Sequence, residues 1–303
     1  MNKQIQSFLP QQARIIEIEP NQPAIVQVDV DGDQEKEWLV AYEEQGKEYL
    51  LVIKEQHPFY FRKCNGQYEW FHRDQVVLDV KQGDITGDGN ADTIYLIGTK
   101  QEGSAHVQNI TLVVRYYNQS VETIPLKEGS GYKPTIFLGD MTGEQINDVL
   151  IVIDSGGSGG TVYAYIYSFQ QGNMKLLFDS DVFNKNYQYK VQYQDQYTVR
   201  VESAVLKKRY TLSLKDKELA YLSAIYRSDG TLRQPIQGFV SPLAGIYPID
   251  LERDGTYELV TFQNIAGQYN ADRLGYVNNV LRWNGQNFVP LRQTIEIFGR
   301  NIS

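Results

Sequence analysis

The sequence is poor in the residues that most often carry chemistry. Cys64 is its one cysteine, so no disulfide can close within the chain. Its three histidines, His57, His72 and His106, stand at no metal-binding or catalytic spacing from Cys64. No run of about 18 apolar residues exists, which excludes a membrane-spanning helix. The first ten residues, Met1 to Pro10, lack the apolar core of a signal peptide. Basic residues are the minority: 29 Lys and Arg against 37 Asp and Glu, a net charge of −8. That balance argues against a nucleic-acid binder, which needs a basic face to release counterions. It argues equally against docking on anionic lipid. Convincing helical period with caps is missing as well.

What the sequence does contain favours strands. It has 22 Tyr and 12 Phe among 303 residues, with Ile, Val and Thr well represented. Such residues suit pleated, half-buried surfaces.

The most informative stretch is Asp84-Ile85-Thr86-Gly87-Asp88-Gly89-Asn90-Ala91-Asp92. Asp84, Thr86, Asp88 and Asp92 place oxygen side chains at positions one, three, five and nine. Gly87 and Gly89 permit the bend, and the Asn90 carbonyl adds a ligand at position seven. A loop of this kind wraps a hard cation, and its irregular oxygen set suits calcium better than magnesium.

The loop recurs. Asp29, Asp31, Asp33, Glu35 and Glu37 make the first copy. Asp140, Thr142, Glu144, Ile146 (through its carbonyl) and Asp148 make the third, and Asp250, Glu252, Asp254, Thr256 and Glu258 the fourth. The copies begin 55, 56 and 110 residues apart. The last interval is two periods, so one copy has lost its loop near Gln194-Asp195-Gln196. Self-similarity at this period marks a repeat architecture.

After each loop the order repeats. A strand follows at 38–42, 93–97, 149–153 and 259–262, then a connection of variable length, a returning strand, a turn and two more strands. Residues 149–153 are apolar on both faces, which belongs to a sheet packed between other sheets. Four-stranded sheets arranged radially are the blades of a β-propeller. The expectation is an all-β chain: a flexible leader at 1–12, then a single five-bladed β-propeller over 13–303, each blade of four antiparallel strands. Its repeats lie near 24–78, 79–134, 135–186, 187–242 and 243–299. The degenerate repeat is expected to hold strands at 209–214 and 220–226. Residues 13–19 are expected to pair with the C-terminal strand at 288–297 and close the ring, because an open edge invites aggregation.

Gly83 together with Asp84 to Asp92 resembles the core of the FG-GAP/VCBS repeat, found in integrin α-subunit heads and many bacterial surface proteins. That pattern is Gly-Asp-x-Asn/Asp-Gly-Asp-Gly-x-x-Asp followed by apolar residues. The first copy matches at Asp29, Asp31, Gly32, Asp33 and Glu37. The third lacks the second glycine, and the fourth has Arg253 in place of the first. The resemblance implies a calcium-stapled propeller, usually extracellular, used for binding. Integrin-type heads have seven blades, whereas this chain has room for five.

Rival readings of the loops are the EF-hand and plain turn chemistry. The EF-hand needs a glutamate at position twelve, where this chain has Val40, Tyr95, Ile151 and Thr261. Turn chemistry uses Asp and Gly to satisfy backbone groups without a metal. Gly156-Gly157-Ser158-Gly159-Gly160 spells the hydrolase elbow, but that motif must open a helix and here strand residues follow. Paired acids around a funnel would serve a secreted carbohydrate-active enzyme, the alternative reading, with Asp154 the acid to watch.

The expected function is non-catalytic: a surface-binding or structural protein, extracellular or at the cell surface, stabilised by three or four calcium ions. Four such ions would balance the net charge of −8. Its protein or carbohydrate partner is expected on the rim opposite the acidic loops. There the connections 99–107, 154–160 and 264–273, with Tyr269, are long and glycine-rich.

Overall fold

Alternating and doubly apolar segments become strands almost everywhere they occur. The computed structural model describes residues 3–10, 12–29, 35–54, 57–64, 67–71, 76–101 and 103–299. Contacts divide the chain into two units, 1–76 and 77–303.

The first unit holds α1 (Lys3–Phe8), β1 (Arg14–Ile15), β2 (Glu17–Glu19), β3 (Gln22–Pro23), β4 (Ile25–Val28), β5 (Glu37–Glu44), β6 (Lys47–Lys54), β7 (His57–Cys64) and β8 (Gln67–Phe71). β5 to β8 form an antiparallel meander, with β1 and β4 both paired to β5. Ile5 of α1 is buried with Val40, Tyr42, Leu51 and Ile53. The Tyr60 hydroxyl donates to the Phe8 carbonyl at 2.8 Å. Closure of a ring by residues 13–19 is corrected here: Arg14 pairs with Glu43 and Ile15 with Tyr42. Ile15 packs against the core of this unit, and burial there decides its partner. His57 opens β7 opposite Lys54.

The second unit continues with β9 (Val76–Gly83), β10 (Asp92–Lys100), β11 (His106–Arg115), β12 (Val121–Pro125), β13 (Gly131–Gly139), β14 (Asp148–Asp154), β15 (Val162–Ser168), β16 (Lys175–Asp179) and α2 (Ser180–Asn186). It ends with β17 (Tyr189–Gln194), β18 (Thr198–Ser203), β19 (Lys208–Ser213), α3 (Leu219–Ile225), β20 (Gln237–Ile249), β21 (Glu258–Ala266), β22 (Arg273–Trp283) and β23 (Phe288–Glu296). Antiparallel four-stranded meanders, β9–β12, β13–β16 and β20–β23, recur at the expected period.

The chain is all-β with several sheets, but five separate four-stranded blades are not shown. Short ladders fuse neighbouring meanders. His106↔Tyr132 and Val107↔Gly131 join two of them into an eight-stranded sheet. Val191↔Gly238 and Gln192↔Gln237 join β17–β19 to β20–β23 in a seven-stranded sheet. Packing also departs from chain order. Met141, Leu150 and Ile166 share a core with Leu243, Leu259 and Leu281. Repeat 135–186 therefore lies on repeat 243–299. Repeat 187–242 packs on 243–299 too, through Val191, Val201 and Val277.

β14 confirms the doubly buried strand. Val149, Ile151 and Ile153 face one core and Leu150 the other. The expected strand at 220–226 is instead helix α3. Leu222 and Ile225 are its buried residues at i and i+3, and that spacing is helical. α2 is capped by Asp179, whose carboxylate accepts from the Asp181 N–H at 2.7 Å. Among the described residues no helix is long and apolar enough to cross a membrane.

Ile151 is fully buried between sheets. Ile151→Ala is expected to cost about 3–4 kcal/mol in urea unfolding. Leu291→Ala, at a half-exposed position of β23, is expected to change stability by less than about 1 kcal/mol.

Candidate functional site

The three acidic loops of the second unit share one backbone path. At position one, Asp84 accepts from the N–H groups of Thr86, Gly87 and Gly89 at 3.1, 2.7 and 2.8 Å. Asp140 accepts from Thr142, Gly143 and Gln145 at 3.1, 2.6 and 2.7 Å. Asp250 accepts from Asp254 and Gly255, both at 3.1 Å. At position nine, Asp92, Asp148 and Glu258 each accept from the position-two N–H of Ile85, Met141 and Leu251, at 3.2, 2.9 and 3.2 Å. Position four has φ of 83°, 84° and 60° at Gly87, Gly143 and Arg253. Position six has 85°, 60° and 89° at Gly89, Gln145 and Gly255. The copies lacking a glycine thus keep the left-handed turn, because the carboxylate at position one holds it.

The loops also stack. The Asn147 N–H and side-chain amide donate to the Asp84 carbonyl at 3.2 and 3.0 Å. The Tyr257 N–H donates to the Asp140 carbonyl at 2.8 Å. Ile146, expected as a carbonyl ligand, packs its side chain over Gly87 of the preceding loop; a β-carbon there would lie 2.5 Å from Ile146 Cδ1.

Electrostatics differ among the copies. Burial would raise the Asp84 carboxyl, yet its N–H donors outweigh this and hold it below the ordinary value. Asp148 is pushed up to about 6, first by burial and then by the neighbouring Asp140 charge, against the Met141 N–H and the Thr142 and Ser168 hydroxyls. Glu258 is buried beside Arg282, whose Nε and Nη2 donate to Glu258 Oε1 at 3.1 and 2.9 Å. Nη2 also donates to Glu252. In the fourth loop a guanidinium therefore stands between two of the expected ligands. One step beyond the pairs Thr93↔Arg115, Val149↔Tyr167 and Leu259↔Leu281, the residue opposite position nine is Tyr116, Ser168 or Arg282.

Asp88 and Glu144 are exposed, and Asp88 accepts from the Asn90 N–H at 2.8 Å as Asp254 does from Thr256 at 2.9 Å. In the first loop, Asp31 and Asp33 lie outside the described residues, Glu35 is exposed and Glu37 is buried. Among the described residues no three His, Cys, Asp or Glu side chains are grouped as metal ligands. A cleft of about 490 Å³ beside Asp88 and Asp92 is lined by Tyr116, Tyr117, Glu122 and Gln171.

At the other ends of these strands the three long connections meet. The His106 and Tyr132 rings lie 5.2 Å apart, and Gly156, at φ +78°, passes against the Tyr132 ring. The Asn264 side chain donates to the Gly159 carbonyl at 2.8 Å, and the Asn270 side chain to Ser158 at 3.4 Å. Gly156 to Gly160 is thus part of a hairpin into β15, without the helix a nucleophile elbow needs. Asp154 is exposed at the end of β14, and Tyr269 is 63% exposed.

Sequence reasoning did not find what holds the last connection. The Tyr193 and Tyr221 hydroxyls donate to buried Asp272 Oδ2 at 3.2 and 3.0 Å, and the Gln268 N–H adds a third bond at 3.1 Å. Burial, then their contact with each other and with Asp272, raises the Tyr193 hydroxyl far above its ordinary value. Gly267 sits in this cradle. These residues are 79 and 51 positions apart from Asp272, so no local spacing announces them.

Residues 187–296, spanning β17 to β23, match the YybI C-terminal domain family. The chain is 46% identical over 253 residues to the Bacillus subtilis (strain 168) protein named "Uncharacterized protein YybI", covering 81% of this chain and 97% of that protein. The chain belongs to the YybI family. Membership in YybI corrects the resemblance to FG-GAP/VCBS repeats, a family that these matches do not show. The likeness resides in nine-residue loops, and in the three loops of the second unit the position-one and position-nine carboxylates make the turn hydrogen bonds above. The YybI-family chain is also similar to a solved rhamnogalacturonan lyase, YesW, at 12% identity and a TM-score of 0.28. That likeness covers 95% of this chain and 55% of the lyase, and it is too slight to carry an argument.

Two outcomes are expected. Because the folded state prefers protonated Asp148, its contribution to stability is greatest below its ordinary value of 3.8 and falls until pH reaches about 6. In EDTA, Asp148→Asn should remove about 2 kcal/mol of that pH dependence between pH 4 and 7, read as the difference between the two proteins' unfolding free energies in urea. A β-carbon at Gly267 would lie 2.0 Å from Asp272 Oδ2 and 2.1 Å from Tyr193 Oη. Gly267→Ala should then cost about 3 kcal/mol or more in the same measurement.

Proposed function

We propose that this YybI-family chain is a non-catalytic binding protein, extracellular or at the cell surface, whose acidic loops take structural calcium and whose opposite rim takes the partner. The observation that carries the reading is the loop geometry: carboxylate-rich turns with one backbone path, stacked against one another. Like charges so arranged repel, and a divalent cation relieves that repulsion. An ion that binds only the folded chain stabilises it by mass action.

The loop at 84–92 fits best, through Asp84, Asp88 and Asp92 with the Thr86 hydroxyl and the Asn90 carbonyl. The loop at 140–148 follows it, with Asp140, Thr142, Glu144 and Asp148. In 250–258 the Arg282 guanidinium already neutralises Glu252 and Glu258, so this copy is assigned no ion. Asp29, Glu35 and Glu37 keep the first loop as a candidate. The five-blade arrangement is carried in this proposal by the 55-residue period alone. A protein or carbohydrate partner on the rim is favoured by the convergence of 99–107, 154–160 and 264–273.

Melting with and without calcium tests the reading. If each site has a Kd near 10⁻⁴ M, about 10 mM calcium after EDTA treatment adds about 2.7 kcal/mol per site, a rise of about 5–10 °C for each. Asp88→Asn keeps the acceptor for Asn90 and removes the charge, so it should lose one such increment while folding normally. Identical melting in calcium and EDTA, with no calcium found by elemental analysis, rejects the metal.

A further inference from the structure

One groove of the second unit gathers cations in a chain whose net charge is −8. It lies along α3 and has a volume of about 570 Å³. Its floor is apolar: Leu222 and Tyr226 are buried, and the Tyr197 ring stands 4.9 Å from that of Tyr226. Leu219, 84% exposed, forms one wall. Lys215, Arg227 and Arg233 stand around this floor, and no acid is among the described lining residues.

Both arginines are held by the oxygens of nearby residues. Arg227 Nη1 donates to the Leu232 carbonyl at 2.8 Å and to the Thr231 hydroxyl at 3.4 Å. Arg233 Nε donates to the Ser223 and Tyr226 carbonyls at 2.9 and 3.1 Å. Neither arginine, nor Lys215, forms an ion pair among the described residues, whereas Arg200, Arg209 and Arg282 each meet a glutamate. Neighbouring acids are bonded elsewhere. Asp229 accepts from the Thr231 N–H and hydroxyl at 2.9 and 2.7 Å, and Asp195 from the Leu232 N–H at 2.8 Å. Asp216 and Glu218 are exposed and outside the lining. The groove adjoins the 264–273 connection, because Tyr221 of α3 donates to Asp272 at 3.0 Å and Lys217 Nζ to the Arg273 carbonyl at 3.0 Å.

This lining selects by charge and by shape. A cation is repelled, a neutral ligand gains the apolar floor alone, and a lone carboxylate meets one cation of three. A guanidinium already held in place offers its remaining N–H groups as a fork to a carboxylate, with little further loss of rotamer freedom. Leu219 and the tyrosines favour an apolar side chain between the charges. A peptide supplies acids on either side of such a side chain, and clustered arginines are a recurring way of reading acidic motifs. A uronate chain supplies the charges but no aliphatic group for Leu219.

We propose that this groove docks an acidic peptide segment of a partner protein. An apolar side chain of that segment packs on Leu219 and Tyr197, and the flanking carboxylates meet Lys215, Arg227 and Arg233. The assignment rests on the reading of that rim as the binding face and chooses protein over carbohydrate.

The test titrates the full chain into labelled, end-blocked peptides Asp-Glu-x-Glu-Asp, with x as Leu, Ile, Met, Phe, Tyr, Trp or Gly, read by fluorescence anisotropy. At about 50 mM salt at least one apolar x is expected to bind with a Kd near 10⁻⁴ M. Binding should be about fivefold weaker or more with Gly, and likewise at about 300 mM salt. Lys215→Glu and Leu219→Ser alter exposed side chains, so each should leave the melting temperature unchanged and weaken binding about threefold or more. No binding of any peptide at about 1 mM chain overturns the proposal. Equal binding of the Gly peptide, of the neutral form Asn-Gln-x-Gln-Asn, or by both variants overturns it too. Trigalacturonate, the acidic-glycan probe, should bind more weakly than the best peptide; tighter binding that both variants lose gives the groove to a glycan and overturns the peptide. Peptide binding lost in Tyr269→Ala but kept in both groove variants preserves the rim as the binding face and discards the groove. Binding lost in both groove variants and unchanged in Tyr269→Ala supports the groove by itself, so the two readings fail separately.

Discussion

The second unit depends on one repeated hydrogen bond, from the N–H at position two of each acidic loop to the buried carboxylate at position nine. It closes a nine-residue turn with a group that begins the next strand, so turn and strand are set together. Burying a carboxylate is costly unless it is well bonded, and each copy meets that demand differently. Asp92 takes a second N–H, from Tyr117 at 3.0 Å. Asp148 takes the Thr142 hydroxyl at 3.2 Å and answers the rest of the penalty by holding its proton more tightly. Glu258 takes an arginine. The residue opposite position nine decides which solution is available, and that residue comes from the next strand of the same meander.

From this bond the larger arrangement follows. A closed loop presents its position-one carbonyl and its position-eight N–H outward, and two such bonds link the three loops of the second unit. Asp84 receives Asn147, and Asp140 receives Tyr257. The period in the chain thereby becomes a row in space. The row skips repeat 187–242, where Gln194-Asp195-Gln196 offers neither a carbonyl nor a donor in the right frame. That repeat attaches instead along its β17 edge. Loss of one loop is thus sufficient to explain why the order of packing departs from the order of the chain.

Strand positions, loops and meanders were legible because they are local. Asp84 to Asp92 declares its turn through Asp and Gly, and Val149 to Ile153 declares double burial through an unbroken apolar run. The ring was not legible, because strand count per sheet depends on two-residue ladders such as Val191↔Gly238, which no pattern specifies. Residues 220–226 mixed Ala, Leu, Ser and Ile in a way that suits either period, and the buried contacts of Leu222 and Ile225 chose the helix. The loops themselves show the limit most clearly. Asp and Gly at fixed spacing serve a cation or the backbone equally well, and only the hydrogen bonds reveal how much of each carboxylate the backbone already uses.

Arg282 sharpens that point. A guanidinium and a calcium ion both answer crowded carboxylates, but they do so under different conditions. The arginine is tethered by its own strand, so its local concentration is fixed and its charge persists at any pH the fold tolerates. A diffusible ion must be supplied from solution. On the calcium reading proposed above, stability divides into a part that is always present and a part that follows the medium. Arg282 places the constant part in repeat 243–299, and loops 84–92 and 140–148 would carry the variable part.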